Sequence, residues 1–168
     1  MSPRPKLLWD STAAGAAAPV PPSVDPVDVA TDSAGAALLA RLGLGRADLP
    51  VVLVSDAMAK LRVLGARLSA EEIVALADGR GVPAAALTVY GASWCPDCRI
   101  AKRVLAEAGA EYQEIDIDQN AAAEAAVIAK SGGRRVIPTL AFDGRIWAFN
   151  PQPPQLRRLL EGAASAAP

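Results

Sequence analysis

The apolar positions of this chain follow two periods in turn, alternating with polar residues over short runs and recurring every three to four residues over longer ones. Residues 26–30, PVDVA, make a short run of strand type. TDSAGAALLARLGL (31–44) has helical spacing, with Thr31 or Asp32 placed to cap its start and Gly43 near its end. LPVVLVSD (49–56) reads as an apolar strand and KLRVLGA (60–66) as its hairpin partner. LSAEEIVALADG (68–79) opens with Ser69, followed three residues later by Glu72, the reciprocal pattern of a capping box. Glu71 and Glu72 are accordingly assigned to helix capping. Two stretches break the periodicity, STAAGAAAPVPPSVDP (11–26) and DGRGVP (78–83), and both read as loop or linker.

Beyond Pro83 the pattern sharpens. AALTVYGA (85–92) is a strand, and CPDCRIAKRVLAEAGA (95–110) is a helix with Ile100, Val104, Leu105 and Ala108 on its apolar face, ending at Gly109. EYQEIDID (111–118) alternates as a strand does, and QNAAAEAAVIAKSGG (119–133) is a helix closed by glycine. IPTLAFDGRIWAF (137–149) is a hairpin turning at Asp143-Gly144, and PPQLRRLLEG (153–162) is a closing helix with proline at its start. This order, β-α-β-α-β-β-α, predicts an α/β fold: a central sheet flanked by helices, with a parallel pair joined by the first crossover.

Sliding the chain by 88 residues lays Val27–Ser55 on Ile115–Asp143 without a gap. Asp28 meets Asp116, Gly45 meets Gly133, Arg46 meets Arg134 and Pro50 meets Pro138. Both copies carry strand, helix, loop, X-Pro and strand, and then a closing helix. The first copy lacks the opening strand and helix of the second. Residues 6–9, KLLW, can supply the strand, but no room remains for the helix.

Composition narrows the chemistry. Apolar residues make up 52 % of the 168, and aromatics only 4 %, so the core is built of Leu, Val, Ile and Ala. A net charge of −1 gives no footprint for nucleic acid or an anionic membrane. No stretch approaches the ~20 apolar residues of a membrane-spanning helix. The opening MSPRPKLLWDSTAAGAAAP lacks an apolar core of the ~7–15 residues a signal peptide needs and is not read as one; a lone CxxC in an otherwise cysteine-free chain reads as cytoplasmic redox chemistry. There is no histidine, which removes imidazole catalysis and His-containing metal sites.

The only two cysteines stand three apart in YGASWCPDCRIAKR (90–103). Three readings fit: a redox pair, half of a shared metal site, or two inert core residues. Zinc needs four ligands, so a metal or a bridged cluster would require two chains. For the redox reading the position matters, because a helix start carries unpartnered N–H groups and the positive end of the dipole. A thiolate there has a lowered pKa, and the thiolate is the nucleophile. Residues i and i+3 share a helix face, so Cys98 can close on Cys95. Pro96 suits the first turn. Trp94 would shield one flank, and Asp97 would oppose a thiolate somewhat.

The stretch from Leu87 to Asn120, with RRVIPTLAFDGR (134–145), resembles the glutaredoxins and the wider thioredoxin superfamily. The resemblance spans about residues 85–162 and implies a four-stranded thioredoxin-like mixed sheet flanked by helices. It implies Cys95 as exposed nucleophile, Cys98 as resolving thiol, a cis Pro138 facing the pair, and Ile137 offering backbone groups to substrate. Trp94, Pro96, Arg99, Arg134 and Arg135 complete the expected substrate site, the arginines being candidates to hold a thiol's carboxylate. Where glutathione-using members carry Gly-Gly and an acidic or hydroxyl pair, this chain reads Trp147-Ala-Phe-Asn150-Pro, similar to the mycoredoxin type. The first copy resembles a truncated thioredoxin-fold module, Pro50 matching the cis-proline place with no cysteine opposite. The expected organisation is an N-terminal strand and linker (1–26), a truncated thioredoxin-like unit without cysteines (27–82) and a glutaredoxin-like redox unit (83–168).

The function implied is thiol–disulfide oxidoreduction on protein disulfides or protein–small-thiol mixed disulfides. It would have no bound cofactor or metal, and glutathione, another bacterial thiol or a reductase would supply electrons. The alternative is a redox-sensing adaptor whose CxxC is a switch and whose first half binds a partner.

Overall fold

The computed structural model describes residues 4–13, 20–55, 61–78, 80, 82, 84 and 86–164. Residues 14–19 of the expected linker, Lys60, and residues 79, 81 and 83 of the second punctuation lie outside them. In chain order the elements are β1 (Lys6–Trp9), β2 (Asp25–Asp28), α1 (Ser33–Arg41), β3 (Val51–Ser55), β4 (Leu61–Gly65), α2 (Ala70–Ala77), β5 (Leu87–Gly91), α3 (Pro96–Glu107), β6 (Gln113–Asp116), α4 (Ala121–Lys130), β7 (Thr139–Phe142), β8 (Ile146–Phe149) and α5 (Pro153–Ala164). All eight strands form one sheet in the order β2-β1-β3-β4-β8-β7-β5-β6.

The helix starts obey local rules. Asp32 accepts the N–H groups of Ala34 and Gly35 at the start of α1, and Asn120 accepts that of Ala123 at α4. Ser69 and Glu72 bond reciprocally at α2, as the capping box predicts. Asp143 and Gly144 both have positive φ, the requirement of the tight hairpin turn read from the sequence.

The repeat is realised strand for strand. β1 runs parallel to β2 and antiparallel to β3, which is antiparallel to β4; β5 stands in the same relation to β6, β7 and β8. Pro50 and Pro138 both follow cis peptide bonds, each just before its strand. The four strands expected of the redox half are present, and they continue through β8 into four more. The contact across the seam is antiparallel, Gly65 opposite Ile146, so β1 and β5 run in opposite directions. The joint covers a strand edge that would otherwise present unpaired backbone.

Successive strand residues point to opposite faces, and the core divides accordingly. Leu7, Val52, Val89, Leu140, Phe142, Ile146 and Ala148 pack with α2, α3 and α5. Leu8, Val51, Leu53, Val63, Ala141 and Trp147 pack with α1. Burial on both faces explains why VVLV and LAF read as unbroken apolar runs. Each layer contains residues of both halves. At the seam a Cβ on Gly65 would stand 2.9 Å from the terminal carbons of Leu68 and Leu76, so a larger residue there would require those side chains to shift.

Where the second half has α3, the described residues after β1 hold a turn. Buried Asp10 accepts the N–H and hydroxyl of Thr12 at 2.9 and 2.6 Å and pairs with Arg46. The Thr12 hydrogen bonds, aided by Arg46, hold its carboxyl below the usual carboxylate range.

A side-chain clasp spans the seam. Arg145 donates to both oxygens of Glu72, at 2.8 and 3.3 Å, and to the Arg67 carbonyl at 2.9 Å. The Arg145 hydrogen bond holds the Glu72 carboxyl below its ordinary range against desolvation. A carboxyl depressed by folding stabilises the fold above its unfolded pKa and loses that contribution as pH falls through the folded value. Glu72→Gln is therefore expected to cost about 1–2 kcal/mol at neutral pH. In denaturant titrations that deficit should narrow as pH is lowered from about 5 toward 3. A deficit constant across that window would rule out the pairing as its source.

Candidate active site

The cysteine pair lies at the start of α3, just after β5. β5 is paired on both sides, by β6 and β7, and Gly91 at its end leaves space for the helix start: a Cβ there would meet the Cys98 sulfur at 3.2 Å. Cys95 is the N-cap of α3, and its sulfur accepts the Cys98 N–H at 3.1 Å. Pro96 occupies the first turn, where no N–H is needed. Cys95 and Cys98 are joined as a disulfide, with Cα atoms 5.3 Å apart.

The expected exposure of Cys95 is corrected by the structure. In the disulfide form Cys95 and Cys98 are 3 % and 2 % exposed, packed with Ala92 and against Ile137. The Cys95 sulfur sits at the helix start, where it accepts the Cys98 N–H, and the Ala92 and Ile137 side chains lie against the pair. Ile100 departs from expectation in the other direction. Assigned to the core by helical spacing, it is 44 % exposed, because the buried stripe of α3 runs along Cys98, Ala101, Val104 and Leu105.

The remaining predicted residues surround the pair unequally. Trp94 is 60 % exposed, and its indole N–H donates to Asp118 at 2.8 Å. Pro96 and Arg99 are exposed, and an Arg99 N–H reaches the Trp94 carbonyl at 3.5 Å. Ile137 closes over the cysteines and buried Pro138 follows it. Arg135 is not free for a substrate carboxylate as expected. Its guanidinium pairs with Asp118 and with Glu124 and lies over the Trp94 ring, 5.9 Å from the centroid. Arg134 is half-buried, with its backbone N–H and carbonyl both engaged by the Ser131 hydroxyl.

Sequence reasoning missed Asp118, Glu124 and the contact of Asn150. The Asn150 side chain donates to Asp97 at 3.2 Å, and its backbone N–H donates to the Pro138 carbonyl at 2.7 Å. The Asn-Pro dipeptide was a visible signal; for Asp118 and Glu124 there was none. Trp147, by contrast, is buried against Tyr90 rather than lining the site. Among the described residues there is no cluster of three or more metal-ligating side chains, and no helix is long and apolar enough to cross a membrane.

A dithiol at a helix start, set against a cis-proline loop on a β-α-β-α-β-β-α sheet, defines a thiol–disulfide redox protein of thioredoxin-like fold. Comparison with known proteins agrees. A sequence model described as Glutaredoxin matches residues 87–147. A candidate glutaredoxin of Mycobacterium tuberculosis is 37 % identical over 76 residues, covering 45 % of this chain and 90 % of that protein. Mycoredoxin 1 of Corynebacterium glutamicum is 33 % identical over 78 residues, 46 % of this chain and 96 % of its own. Glutaredoxin 3 of Escherichia coli is 37 % identical over 57 residues, 34 % of this chain and 68 % of its own. A solved structural-genomics target from X. campestris is 32 % identical, aligned over 49 % of this chain and all of that one, at a TM-score of 0.38, too low to speak for the fold. The chain belongs to the glutaredoxin family, and its activity is that of a glutaredoxin-like thiol–disulfide oxidoreductase.

Proposed function

We propose that Cys95 is the nucleophile and Cys98 the resolving thiol of an oxidoreductase acting on protein disulfides and on protein–small-thiol mixed disulfides. The Cys95 thiolate attacks a substrate sulfur, forming a mixed disulfide and expelling the other sulfur as thiolate, which takes up a proton. Cys98, deprotonated, then attacks the Cys95 sulfur, releasing the reduced substrate and leaving the Cys95–Cys98 disulfide. Two thiols of a small-thiol donor, or a reductase, return the pair to its reduced form. The observation that carries this reading is the Cys95 sulfur capping α3 and accepting the Cys98 N–H, where a thiolate is favoured.

Trp94, Pro96, Arg99, Ile137 and Pro138 form the substrate surface in this reading. Because Arg135 is engaged by two carboxylates, a donor thiol that binds without an arginine clamp suits the site better than one that depends on it. The redox unit is residues 83–168. Residues 27–82, with the strand supplied by 1–26, act as a cysteine-free scaffold.

The test compares glutathione with other bacterial thiols, and with a thioredoxin-reductase system, as reductants of the oxidised protein. Mass spectrometry then identifies the adduct trapped on Cys95. Catalytic turnover with one donor and a Cys95 adduct is the expected result. A protein that oxidises once, changes partner affinity and never turns over would be a switch.

A further inference from the structure

Asn150 has φ +44°, a left-handed backbone that glycine or asparagine adopts most readily. The turn needs only that backbone, which sends the N–H to the Pro138 carbonyl at 2.7 Å. A glycine would serve it equally well. The asparagine adds an amide, and the amide donates to Asp97, the carboxylate set between the two cysteines, at 3.2 Å. Asp97 has the same sign of charge as a Cys95 thiolate and disfavours it, whereas the helix start favours it. An amide N–H directed at that carboxylate partly offsets its field and holds it toward the β8–α5 turn.

We propose that Asn150 is a positioning residue for the thiol chemistry: by holding Asp97, it keeps the Cys95 thiolate accessible near neutral pH. The inference rests on the reading of Cys95 as nucleophile. The other charged groups around the pair are Arg99 on α3, Asp118 after β6, and Arg134 and Arg135 before β7. Arg135 is shared between Asp118 and Glu124, and Asp118 also accepts from Trp94. The cycle separates their contribution from that of the amide, because only the Asp97→Asn background removes the carboxylate that the amide meets.

The experiment is a double-mutant cycle read by the pH dependence of Cys95 alkylation in the reduced protein, with Cys98 replaced by serine throughout so that one thiol reports. Asn150→Gly keeps the backbone turn and removes the amide. It should raise the alkylation midpoint by about 0.5 pH unit, about a threefold loss of thiolate below the midpoint. In the intact dithiol, at a pH above both midpoints, equilibrium with a dithiol buffer should move toward the disulfide by a similar factor, since the thiolate stabilises only the reduced form. In an Asp97→Asn background the same Asn150→Gly change should leave the midpoint where it is. An equal shift in both backgrounds, or none in the parent, overturns the proposal. A parent midpoint no lower than that of an unfolded peptide cysteine would instead overturn the assignment of Cys95, so the two failures are distinguishable.

Discussion

Cys95→Ser is expected to reduce turnover of a mixed-disulfide substrate by a factor on the order of 10³ or more, because it removes the attacking atom itself. Serine at the same N-cap can still accept the Cys98 N–H, so the fold should survive and the loss should fall on chemistry alone. Cys98→Ser divides the routes. With a disulfide between two protein thiols, the variant should stall as a mixed disulfide on Cys95, since no second thiol is in place to release it. With a protein–small-thiol mixed disulfide it should keep turning over, because free small thiol resolves the adduct. Both are measured in a coupled assay with each substrate, and the stalled species by mass. Retained turnover by Cys95→Ser on either substrate would sink the assignment.

The second large effect is on stability. Trp147 is 6 % exposed and stacks on Tyr90 with ring centroids 6.0 Å apart. It packs in the same layer as Leu8, Val51, Leu53 and Val63 of the first half. Trp147→Ala should cost about 3–5 kcal/mol, the usual range for emptying a large aromatic site. Against the 5–15 kcal/mol that typically separates folded from unfolded chains, this is a large fraction. Guanidinium titration should show a lower midpoint with an unchanged slope, as expected when stability changes and the surface exposed does not. Trp147→Phe should recover much of the loss by refilling most of the space. A deficit below about 1 kcal/mol for the alanine variant would mean the ring is not holding the two halves' shared layer together.

Much of this molecule was legible in its letters, for identifiable reasons. The redox pair stood out because two cysteines in an otherwise cysteine-free chain fall at a predicted helix start. The doubled topology showed through because Pro50 and Pro138, with the strands and helices around them, keep one 88-residue offset. Other features left no local trace. The seam joins residues far apart in the chain, through the registered pair Gly65 and Ile146, hydrogen bonds such as Ala66 N–H to the Arg145 carbonyl, and core layers common to both halves. Arg135 looked free because Asp118 and Glu124 lie 17 and 11 residues away, on elements that only the fold brings together. Ile100 was misplaced because helical spacing says which residues share a face, but not where the buried stripe ends. The burial of Cys95 comes from its place at the helix start against Ala92 and Ile137, a long-range packing that no pattern of apolar positions encodes.

The reversal of strand direction across the seam bears on how this molecule can be altered. The mouth of each half opens where its own first strand stops, so the sulfur pair and the cysteine-free proline loop look out from opposite rims of one slab. Substitutions on the Pro50 rim can therefore be made at the end of the sheet remote from the sulfurs.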